Sequence, residues 1–152
     1  YAVDGLHSFE FWAEDFFAVF PKDDVHAKLE TIDSDELATA NLMLLGEGHC
    51  LTDQTLSVCH FDRAQMKSSF SDASLNTLIQ MALANMGTTL VPEMALNQLH
   101  LQNQNAVAVP LAEKGPHRHI AFVTRLNYAR VDDVNLLGKL FKQAFEEAAQ
   151  KN

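Results

Sequence analysis

The sequence predicts a mixed α/β fold, since short apolar segments alternate along it with segments that carry a helical period. FFAVF, residues 16–20, is continuously apolar and stops at Pro21, which is typical of a strand buried on both faces. By contrast, apolar residues recur every three or four positions from Leu75 to Met86, which predicts an amphipathic helix. This alternation favours a parallel or mixed sheet with helices packed against it.

The first third of the chain is predicted to hold strands with one short helix between them. Residues 8–20 form either one bent strand or two strands. Asp33, with Glu36 three residues later, has the pattern of a helix N-cap, so a short helix is expected there. NLMLL, residues 41–45, is a further apolar strand that ends before Gly46.

The middle of the chain is predicted to hold two helices separated by a weak strand. Residues 50–61 favour a short helix, and residues 66–70 favour the strand. The clearest helix begins at Leu75, where Ser74 is placed as N-cap. We expect that helix to end at Gly87, because glycine adopts the left-handed conformation readily.

The last third is predicted to contain three strands and a long helix. The strands are residues 88–92, 106–111 and 119–125, with a helical turn or two after the first of them. Residues 131–150 carry an apolar stripe with a 3.6-residue period, so we expect one face of this helix to pack in the core.

The composition argues against several classes of protein. An apolar fraction of 47% with 20% charged residues is ordinary for a globular protein and argues against disorder. A net charge of -9 argues against direct binding of DNA or anionic lipid, which needs clustered Lys and Arg. No apolar run approaches the roughly 20 residues of a membrane span, and the start lacks a secretory signal. We therefore expect a soluble, cytoplasmic protein with no membrane partner.

Both cysteines lie in GEGHCLTDQTLSVC, residues 46–59. They are either two buried, inert thiols or a redox pair, since a bridge in a reducing cytosol would be transient. If Cys50 begins a helix, Cys59 lies about 13 Å further along the axis, whereas a disulfide needs Cα atoms about 4.4 to 6.8 Å apart. A bond between them would therefore require residues 51–58 to unravel, which couples oxidation to a conformational change.

The surroundings of Cys50 favour the thiolate form. Backbone N–H groups at a helix start stabilise negative charge, and His49 can add a hydrogen bond or a positive charge. Asp53 opposes this effect if its carboxylate points at the sulfur. Thr52 and Gln54 could present a hydroxyl and an amide to a small polar molecule.

The sequence does not predict a metal or a cofactor. Two cysteines with scattered histidines lack the paired spacing of a structural zinc site. His117 and His119 alternate along a predicted strand and could bind a metal, but exposed histidines at such positions are more often solvated.

The segment GHCLTDQTLSVC resembles the redox segment of the OxyR-type peroxide sensors, which are LysR-type transcription regulators. The resemblance continues through NLMLL, SFSDASLNTLIQMALANMGTTLVP and PHRHIAFVTR, so it covers most of the chain. It implies that Cys50 is the peroxide-reactive thiol and Cys59 the resolving thiol. Arg118 matches an arginine that this family places near the reactive cysteine. The polar neighbourhood of the thiols would be His49, Asp53 and Gln54.

The resemblance implies a periplasmic-binding-protein-like LysR-type effector domain with one complete and one partial α/β subdomain. Residues 19–119 would be regulatory subdomain II and carry the redox cysteines. Residues 1–18 and 120–152 would be a remnant of subdomain I. The winged helix-turn-helix of LysR-type regulators is absent, so we expect the chain to be the C-terminal part of the regulatory domain of a longer protein.

The leading functional hypothesis is a hydrogen-peroxide sensor rather than an enzyme. Cys50 would be oxidised to sulfenic acid and form a reversible disulfide with Cys59, while Arg118 and His49 hold or protonate the departing oxygen. The implied partners are hydrogen peroxide, a second copy of the regulatory domain, and a cytosolic thiol reductant such as glutaredoxin. DNA would be bound only through the missing N-terminal domain.

Two alternatives remain open. The chain could be a LysR-type effector domain that binds a small metabolite, with the cysteines incidental and the ligand held by Thr52, Gln54, Ser74 and Arg118. It could also be a thiol peroxidase or disulfide oxidoreductase. The spacing disfavours the enzyme, because turnover gains from a short Cys-x-x-Cys motif, whereas this pair would have to refold in every cycle.

Overall fold

The structure is a computed structural model that describes residues 5–46, 49–61, 69–70, 73–98 and 105–149. It divides into a larger compact unit, Glu14–His117, and a smaller one made of Tyr1–Ala13 with Arg118–Asn152. The sequence analysis expects one subdomain over residues 19–119. The larger unit of the structure instead begins at Glu14, the last residue of the first strand, and ends at His117. The assignment of either unit to a regulatory subdomain stays a prediction.

Strands and helices alternate along most of the described chain, as the sequence predicts. The strands are β1 (Leu6–Glu14), β2 (Phe16–Pro21), β3 (Leu44–Leu45), β4 (Ser69–Phe70), β5 (Thr89–Pro92), β6 (Ala106–Pro110) and β7 (Arg118–Arg125). The helices are α1 (Ser34–Thr39), α2 (Cys50–Val58), α3 (Leu75–Leu83), α4 (Glu93–Gln98) and α5 (Val131–Ala149). Residues 8–20 thus form two strands. The weak strand expected from residue 66 is described only in β4, since residues 62–68 lie outside the described residues.

The larger unit is built on β2, which is the central strand of a three-stranded antiparallel sheet between β5 and β6. In this register Ala18 pairs with Leu90 on one side and with Val109 on the other. Parallel pairing occurs in the short β3–β4 pair and in isolated bridges such as Ile32 with Leu111. The prediction of a mixed α/β fold is confirmed, although the antiparallel and parallel pairs lie in separate sheets.

Apolar side chains cover both faces of β2, which explains its continuously apolar sequence. Phe16, Ala18 and Phe20 point to one face and pack in a cluster that includes Cys59. Val19 points to the other face and packs with Ile79 of α3. Since a buried strand has no polar side to show to water, FFAVF predicts this position correctly.

Helix α1 begins as its capping pattern predicts. The Asp33 side chain accepts a hydrogen bond from the Glu36 backbone N–H at 2.9 Å, and the Glu36 side chain accepts one from the Asp33 N–H at 3.2 Å. Each bond satisfies a backbone donor that the first turn of a helix leaves without a partner. This reciprocal pair fixes where Ser34, the first residue of α1, lies.

Helix α3 ends earlier than the sequence predicts. Ser74 caps its start as expected, but the last helical residue is Leu83 and the C-cap is Ala84. Asn85 then adopts a left-handed backbone with a φ of 59°, so the chain turns two residues before Gly87. The expected end at Gly87 is wrong because asparagine also tolerates this conformation.

The smaller unit pairs β1 with β7 and contains α5. Phe11 of β1 stacks on Phe122 of β7 with ring centroids 4.6 Å apart. Phe145 of α5 also stacks on the Phe11 ring. The expectation that the whole α5 stripe packs in the core is wrong for this structure, since Leu140 is 54% exposed and only Val134 is buried. The two strands β1 and β7 cover only part of the 19-residue helix α5.

Within the described residues, every helix is too short or too polar to cross a membrane.

Candidate functional site

Helix α2 begins at Cys50 and is anchored through the side chain of Thr52. The Thr52 hydroxyl donates a hydrogen bond to the Leu45 carbonyl oxygen at 3.0 Å, and the residue is buried. The start of the helix is therefore tied to the end of β3. Because the hydroxyl proton is already used, this geometry supports an anchoring role for Thr52 rather than donation to a ligand.

The first turn of α2 presents its reactive groups to solvent. Cys50 is exposed and carries a free thiol. His49 occupies the N-cap position with extended backbone angles, and its exposed side chain does not cap the helix. Asp53 lies in the same turn and is also exposed. A small molecule can thus approach the Cys50 sulfur at the N-terminal end of the helix, where backbone N–H groups favour negative charge.

The other cysteine lies on the buried face of the same helix. Thr52, Thr55 and Cys59 are spaced by three and four positions and are all buried, with Cys59 only 2% exposed. Cys59 is the C-cap, and its backbone N–H donates to the Thr55 carbonyl oxygen at 3.0 Å. The pKa of the Cys59 thiol is raised from 9.0 to about 12, first by burial and then by the charge of Glu113, while the Ser34 side chain has a smaller, lowering effect. Cys59 is therefore a protonated thiol at neutral pH in this structure.

The two sulfur atoms cannot bond while α2 is intact. Cys59 lies nine positions after Cys50, which corresponds to about 13 Å of helix, while a disulfide needs Cα atoms within about 7 Å. Both thiols are free in the structure. A disulfide between them requires α2 to unwind, as its sequence spacing predicts.

Two further polar side chains of α2 have buried oxygens that lack a hydrogen-bond partner within the part of the chain that the structure describes. They are Gln54 Oε1 and Thr55 Oγ1. Buried polar atoms usually have a partner, so these two oxygens are exceptions within the described residues. The sequence analysis missed Thr55, although its helical spacing from Thr52 and Cys59 indicates a place on the buried face.

The sequence analysis also missed two residues beside Cys59. Ser34, at the start of α1, donates from its backbone N–H to Glu113 Oε1 at 3.0 Å and also from its hydroxyl to the same oxygen. The two residues are 79 positions apart in the chain, so no local pattern signals the contact. The charge of Glu113 raises the pKa of the buried Cys59 thiol, and the Ser34 side chain lowers it.

The remaining predicted site residues lie on other elements. Ser74 is exposed, and its hydroxyl oxygen accepts a hydrogen bond from the Thr77 N–H at 3.1 Å, which is the role of a helix cap. Arg118 is the half-buried first residue of β7 and belongs to the smaller unit. The structure thus groups His49, Cys50, Asp53 and Gln54 on one helix turn, and the roles expected of Ser74 and Arg118 stay predictions.

The two histidines considered as metal ligands have different environments. His117 is buried, accepts a hydrogen bond at Nδ1 from the Phe16 N–H at 3.0 Å and donates from Nε2 to the Glu113 carbonyl oxygen at 3.0 Å. The expectation of a solvated histidine is therefore wrong for His117, which is a buried structural group. His119 is exposed and lies 3.2 Å from Glu10. Among the described residues, no group of three or more potential metal ligands occurs.

The sequence of this chain is similar to that of a known protein family and of several transcription regulators. Residues 2–146 match the family model described as the LysR substrate binding domain. The transcriptional regulator EstR of Acinetobacter baylyi is 36% identical over 121 residues, which are 80% of this chain and 40% of EstR. A probable hydrogen peroxide-inducible genes activator of Streptomyces viridosporus is 30% identical over 146 residues, which are 95% of this chain and 47% of that protein. The chain spans about half the length of the curated relatives it matches.

Solved structures show the same fold. A mutant of Corynebacterium glutamicum OxyR with H2O2 bound is 25% identical, has a TM-score of 0.85, and is matched over 97% of this chain and 47% of its own. The reduced regulatory domain of OxyR2 from Vibrio vulnificus is 30% identical, with a TM-score of 0.80 over 94% of this chain and 67% of its own. The fold of this chain is therefore similar to that of regulatory domains of transcription regulators.

Proposed function

This chain belongs to the LysR substrate-binding domain family, and from that premise we propose that it is the peroxide-sensing part of an OxyR-like transcription regulator. The observation that carries the proposal is the arrangement of the two thiols. An exposed Cys50 lies at the start of α2, and a buried Cys59 lies at the end of the same helix. An oxidant can reach one thiol directly, while the other becomes available only through a conformational change.

In the first step the Cys50 thiolate attacks one oxygen of hydrogen peroxide. A sulfur–oxygen bond forms, the oxygen–oxygen bond breaks, and the second oxygen leaves as hydroxide, which takes up a proton to become water. Cys50 is left as a sulfenic acid. His49 lies next to the sulfur in sequence and is exposed, so it can supply that proton. Arg118 would stabilise the departing oxygen through its positive charge.

In the second step Cys59 condenses with the oxidised Cys50. The two sulfurs bond, the sulfur–oxygen bond of the sulfenic acid breaks, and the oxygen leaves as water with the proton of the Cys59 thiol. Because α2 holds the sulfurs apart, this bond forms only when the helix unwinds. The chemical signal is thereby converted into a changed surface on the larger unit.

The polar groups of the first turn would hold the peroxide. Gln54 Oε1, which has no hydrogen-bond partner among the described residues, would accept a hydrogen bond from a peroxide O–H. Asp53 is exposed in the same turn and would set the local charge. Thr52 contributes indirectly, since its bond to Leu45 fixes the start of α2.

The proposal extends to the intact regulator. DNA would be bound by an N-terminal domain outside this chain, copies would associate through the regulatory domain, and the protein would act in the cytoplasm. A thiol reductant such as glutaredoxin would reduce the disulfide and reset the switch. The relatives are transcription regulators, and we propose that this chain likewise regulates rather than catalyses turnover.

The test is to count free thiols by mass after addition of one equivalent of hydrogen peroxide. The parent protein should lose two thiols and gain a disulfide between Cys50 and Cys59. Cys59→Ser should instead stop at a sulfenic acid on Cys50, and Cys50→Ser should stay unoxidised. If Cys50→Ser reacted as fast as the parent, the roles assigned to the two cysteines would be wrong.

A second candidate function is an effector domain that binds a small metabolite, with the cysteines incidental. It is favoured by the similarity to EstR, whose name carries no reference to peroxide. The Gln54 oxygen, which lacks a partner within the described part of the chain, could equally accept a hydrogen bond from a metabolite. Retention of both thiols at one equivalent of peroxide would favour this candidate over the sensor.

A further inference from the structure

Two helices of the larger unit, α1 and α3, end close to each other. The last helical residue of α1 is Thr39, and that of α3 is Leu83. A few residues further on, Leu42 and Thr88 form a parallel bridge. The segments that follow the two helices are therefore held side by side.

A side chain also joins these two segments. Asn41 Nδ2 donates a hydrogen bond to the Met86 carbonyl oxygen at 2.8 Å. Asn41 and Asn85 both adopt left-handed backbone angles, with φ of 58° and 59°, so each segment turns soon after its helix. Gly87 completes the contact, because a Cβ there would lie 2.3 Å from the Asn41 carbonyl oxygen. The two turns are thus packed too closely for a side chain at residue 87.

The two turns line an open pocket of about 290 Å³, together with Phe20, Asp24 and His26. This volume is small for a ligand site, so the pocket suits a compact molecule. Its lining residues come from outside α2, so the pocket is separate from the site at Cys50.

Asp24 and His26 fix each other in this pocket. Asp24 Oδ1 accepts a hydrogen bond from the His26 backbone N–H at 2.8 Å and lies 2.7 Å from His26 Nδ1. The His26 ring also stacks on Phe20, with ring centroids 5.1 Å apart. Because Nδ1 faces a carboxylate, it is the ring nitrogen that carries the proton, and Nε2 of the neutral ring is an acceptor. The second carboxylate oxygen, Asp24 Oδ2, is an acceptor as well.

The other polar side chains of the pocket add further acceptors. The Asn41 amide turns its nitrogen to the Met86 carbonyl oxygen, which leaves its own oxygen to accept from a ligand. The Thr39 hydroxyl donates its proton to the Glu36 carbonyl oxygen at 2.8 Å, so its lone pairs remain for a ligand. A molecule that binds here must therefore supply hydrogen-bond donors.

Both helix ends add negative potential to the pocket. The last carbonyl groups of a helix have no intrahelical donor, so the C-terminal end of a helix carries partial negative charge. The last turns of α1 and α3 contain no basic residue that would offset it. Asp24 adds a carboxylate at the same place. The pocket therefore favours a cation and disfavours an anion.

We propose that this pocket is a second ligand site of the larger unit and binds a small organic cation through an ammonium or guanidinium group. Such a group carries only donors, which match the acceptors of Asp24 and Asn41. Phe20 and Met86 would contact the carbon atoms of the ligand. A metal ion fits less well, because the described lining offers it one carboxylate and one imidazole.

The test titrates the reduced full chain with N-butylguanidinium at constant ionic strength and follows the backbone amides by NMR. The amides of Asn41, Asn85 and Gly87 should shift together and reach saturation, which gives the Kd. N-butylurea has the same planar head group without the charge, so it should bind about tenfold more weakly. Cys50→Ser should bind the cation like the parent, since the pocket lies outside α2.

Two variants should move the Kd in opposite directions. Asp24→Asn keeps an oxygen for His26 but removes the charge, so the Kd should rise about three- to tenfold. Asn85→Asp adds a carboxylate to the lining, and aspartate tolerates the left-handed backbone, so the Kd should fall about threefold. A variant that only loosened the pocket would weaken binding in both cases.

Asp23→Asn is the matched control for these variants. It removes the same charge from the neighbouring exposed residue, which lies outside the lining of the pocket. At physiological ionic strength, exposed charges beyond about 8 Å are largely screened, so the Kd should stay close to that of the parent.

Several outcomes would overturn the proposal. Unshifted pocket amides, or equal affinity for N-butylurea, would mean that the pocket does not select a cation. Equal weakening by Asp23→Asn and Asp24→Asn, or equal shifts with potassium, would indicate a diffuse ion atmosphere instead of a site. Shifts that occur only with a lysine- or arginine-rich peptide, and not with N-butylguanidinium, would assign this surface to a protein partner.

Discussion

Cys50 and Cys59 occupy opposite ends of one helix, with the first thiol exposed and the second buried in the apolar core. The helix that presents Cys50 to solvent is therefore the same element that keeps Cys59 away from it. Forming the bond costs the hydrogen bonds of α2, and the apolar side chains that pack beside Cys59 must rearrange as well. This makes α2 a two-state element whose equilibrium is biased by oxidation.

We predict that the disulfide removes hydrogen-exchange protection from α2. The amide of Cys59, which donates to Thr55 in the reduced protein, should exchange faster after treatment with peroxide, together with the amides of residues 53–58. Protection should return after reduction with a thiol. The measurement is hydrogen exchange followed by mass spectrometry on both redox states.

Cys59→Ser serves as the control for this exchange experiment. It reaches the sulfenic acid but has no second sulfur, so its exchange map should stay close to that of the reduced protein. Identical maps for reduced and fully bridged parent protein would contradict the prediction, since they would mean that α2 does not have to unwind.

We predict that two threonines of α2 respond differently to the same substitution. Thr52→Val leaves the buried Leu45 carbonyl oxygen without its donor, which should lower the free energy of unfolding by about 1–3 kcal/mol. Thr55→Val replaces a buried hydroxyl that lacks a partner within the described residues, so it should be neutral or stabilising. Urea denaturation of the reduced proteins measures both changes.

The comparison is matched because both threonines are buried on the same face of one helix. Equal losses of stability would show that helix propensity or packing outweighs the hydrogen bond to Leu45. Thr52→Val should also shorten the lifetime of the Cys50 sulfenic acid, because a less firmly anchored α2 opens more often. A longer lifetime would argue that Thr52 positions the helix for resolution.

Features encoded within a few neighbouring residues could be predicted from the sequence. The capping box at Asp33, the doubly buried β2 and the helix that starts at Cys50 each depend on local pattern and are found as expected. The end of α3 was misplaced because Asn85 and Gly87 can both turn the chain, and local sequence does not decide between them.

Contacts between distant segments could not be predicted in this way. The Ser34–Glu113 pair depends on a backbone bridge between segments 79 residues apart, so neither residue stands out in its own surroundings. His117 was expected in water for the same reason, since its partner Phe16 lies 101 positions away. Local sequence thus predicts that α2 begins at Cys50, but it does not indicate which side chains from distant segments lie next to each other.

We predict that Cys59 makes the stability of the reduced protein fall at alkaline pH. Its thiol pKa is raised from 9.0 to about 12 on folding, so the unfolded chain releases this proton first as the pH increases. The contribution is fully present below pH 9 and is lost between about pH 9 and pH 12, at up to about 1.4 kcal/mol per pH unit. Urea denaturation across this range, for the parent and for Cys59→Ala, measures the difference.

Cys59→Ala lacks the titrating thiol, so its stability should fall less steeply above pH 9 than that of the parent. Other alkaline groups titrate in both proteins and cancel in the comparison. Parallel curves for the two proteins would mean that the thiol is deprotonated as readily in the folded chain as in the unfolded one, against its burial in the core.

We predict that Arg118 accelerates the oxidation of Cys50 through its charge. A guanidinium group near the reacting atoms stabilises the oxygen that leaves as the peroxide bond breaks, and loss of one such group typically costs on the order of tenfold or more in rate. Arg118→Met keeps much of the length of the side chain without the charge and should slow oxidation to that extent, whereas Arg118→Lys should recover part of the rate.

Arg125→Met, at the exposed far end of the same strand, is the matched control and should react like the parent. Stopped-flow kinetics with excess hydrogen peroxide give the rate constants. Equal rates for Arg118→Met and Arg125→Met would remove Arg118 from the site, and equal slowing of Arg118→Met and Arg118→Lys would show that hydrogen-bond geometry matters more than charge.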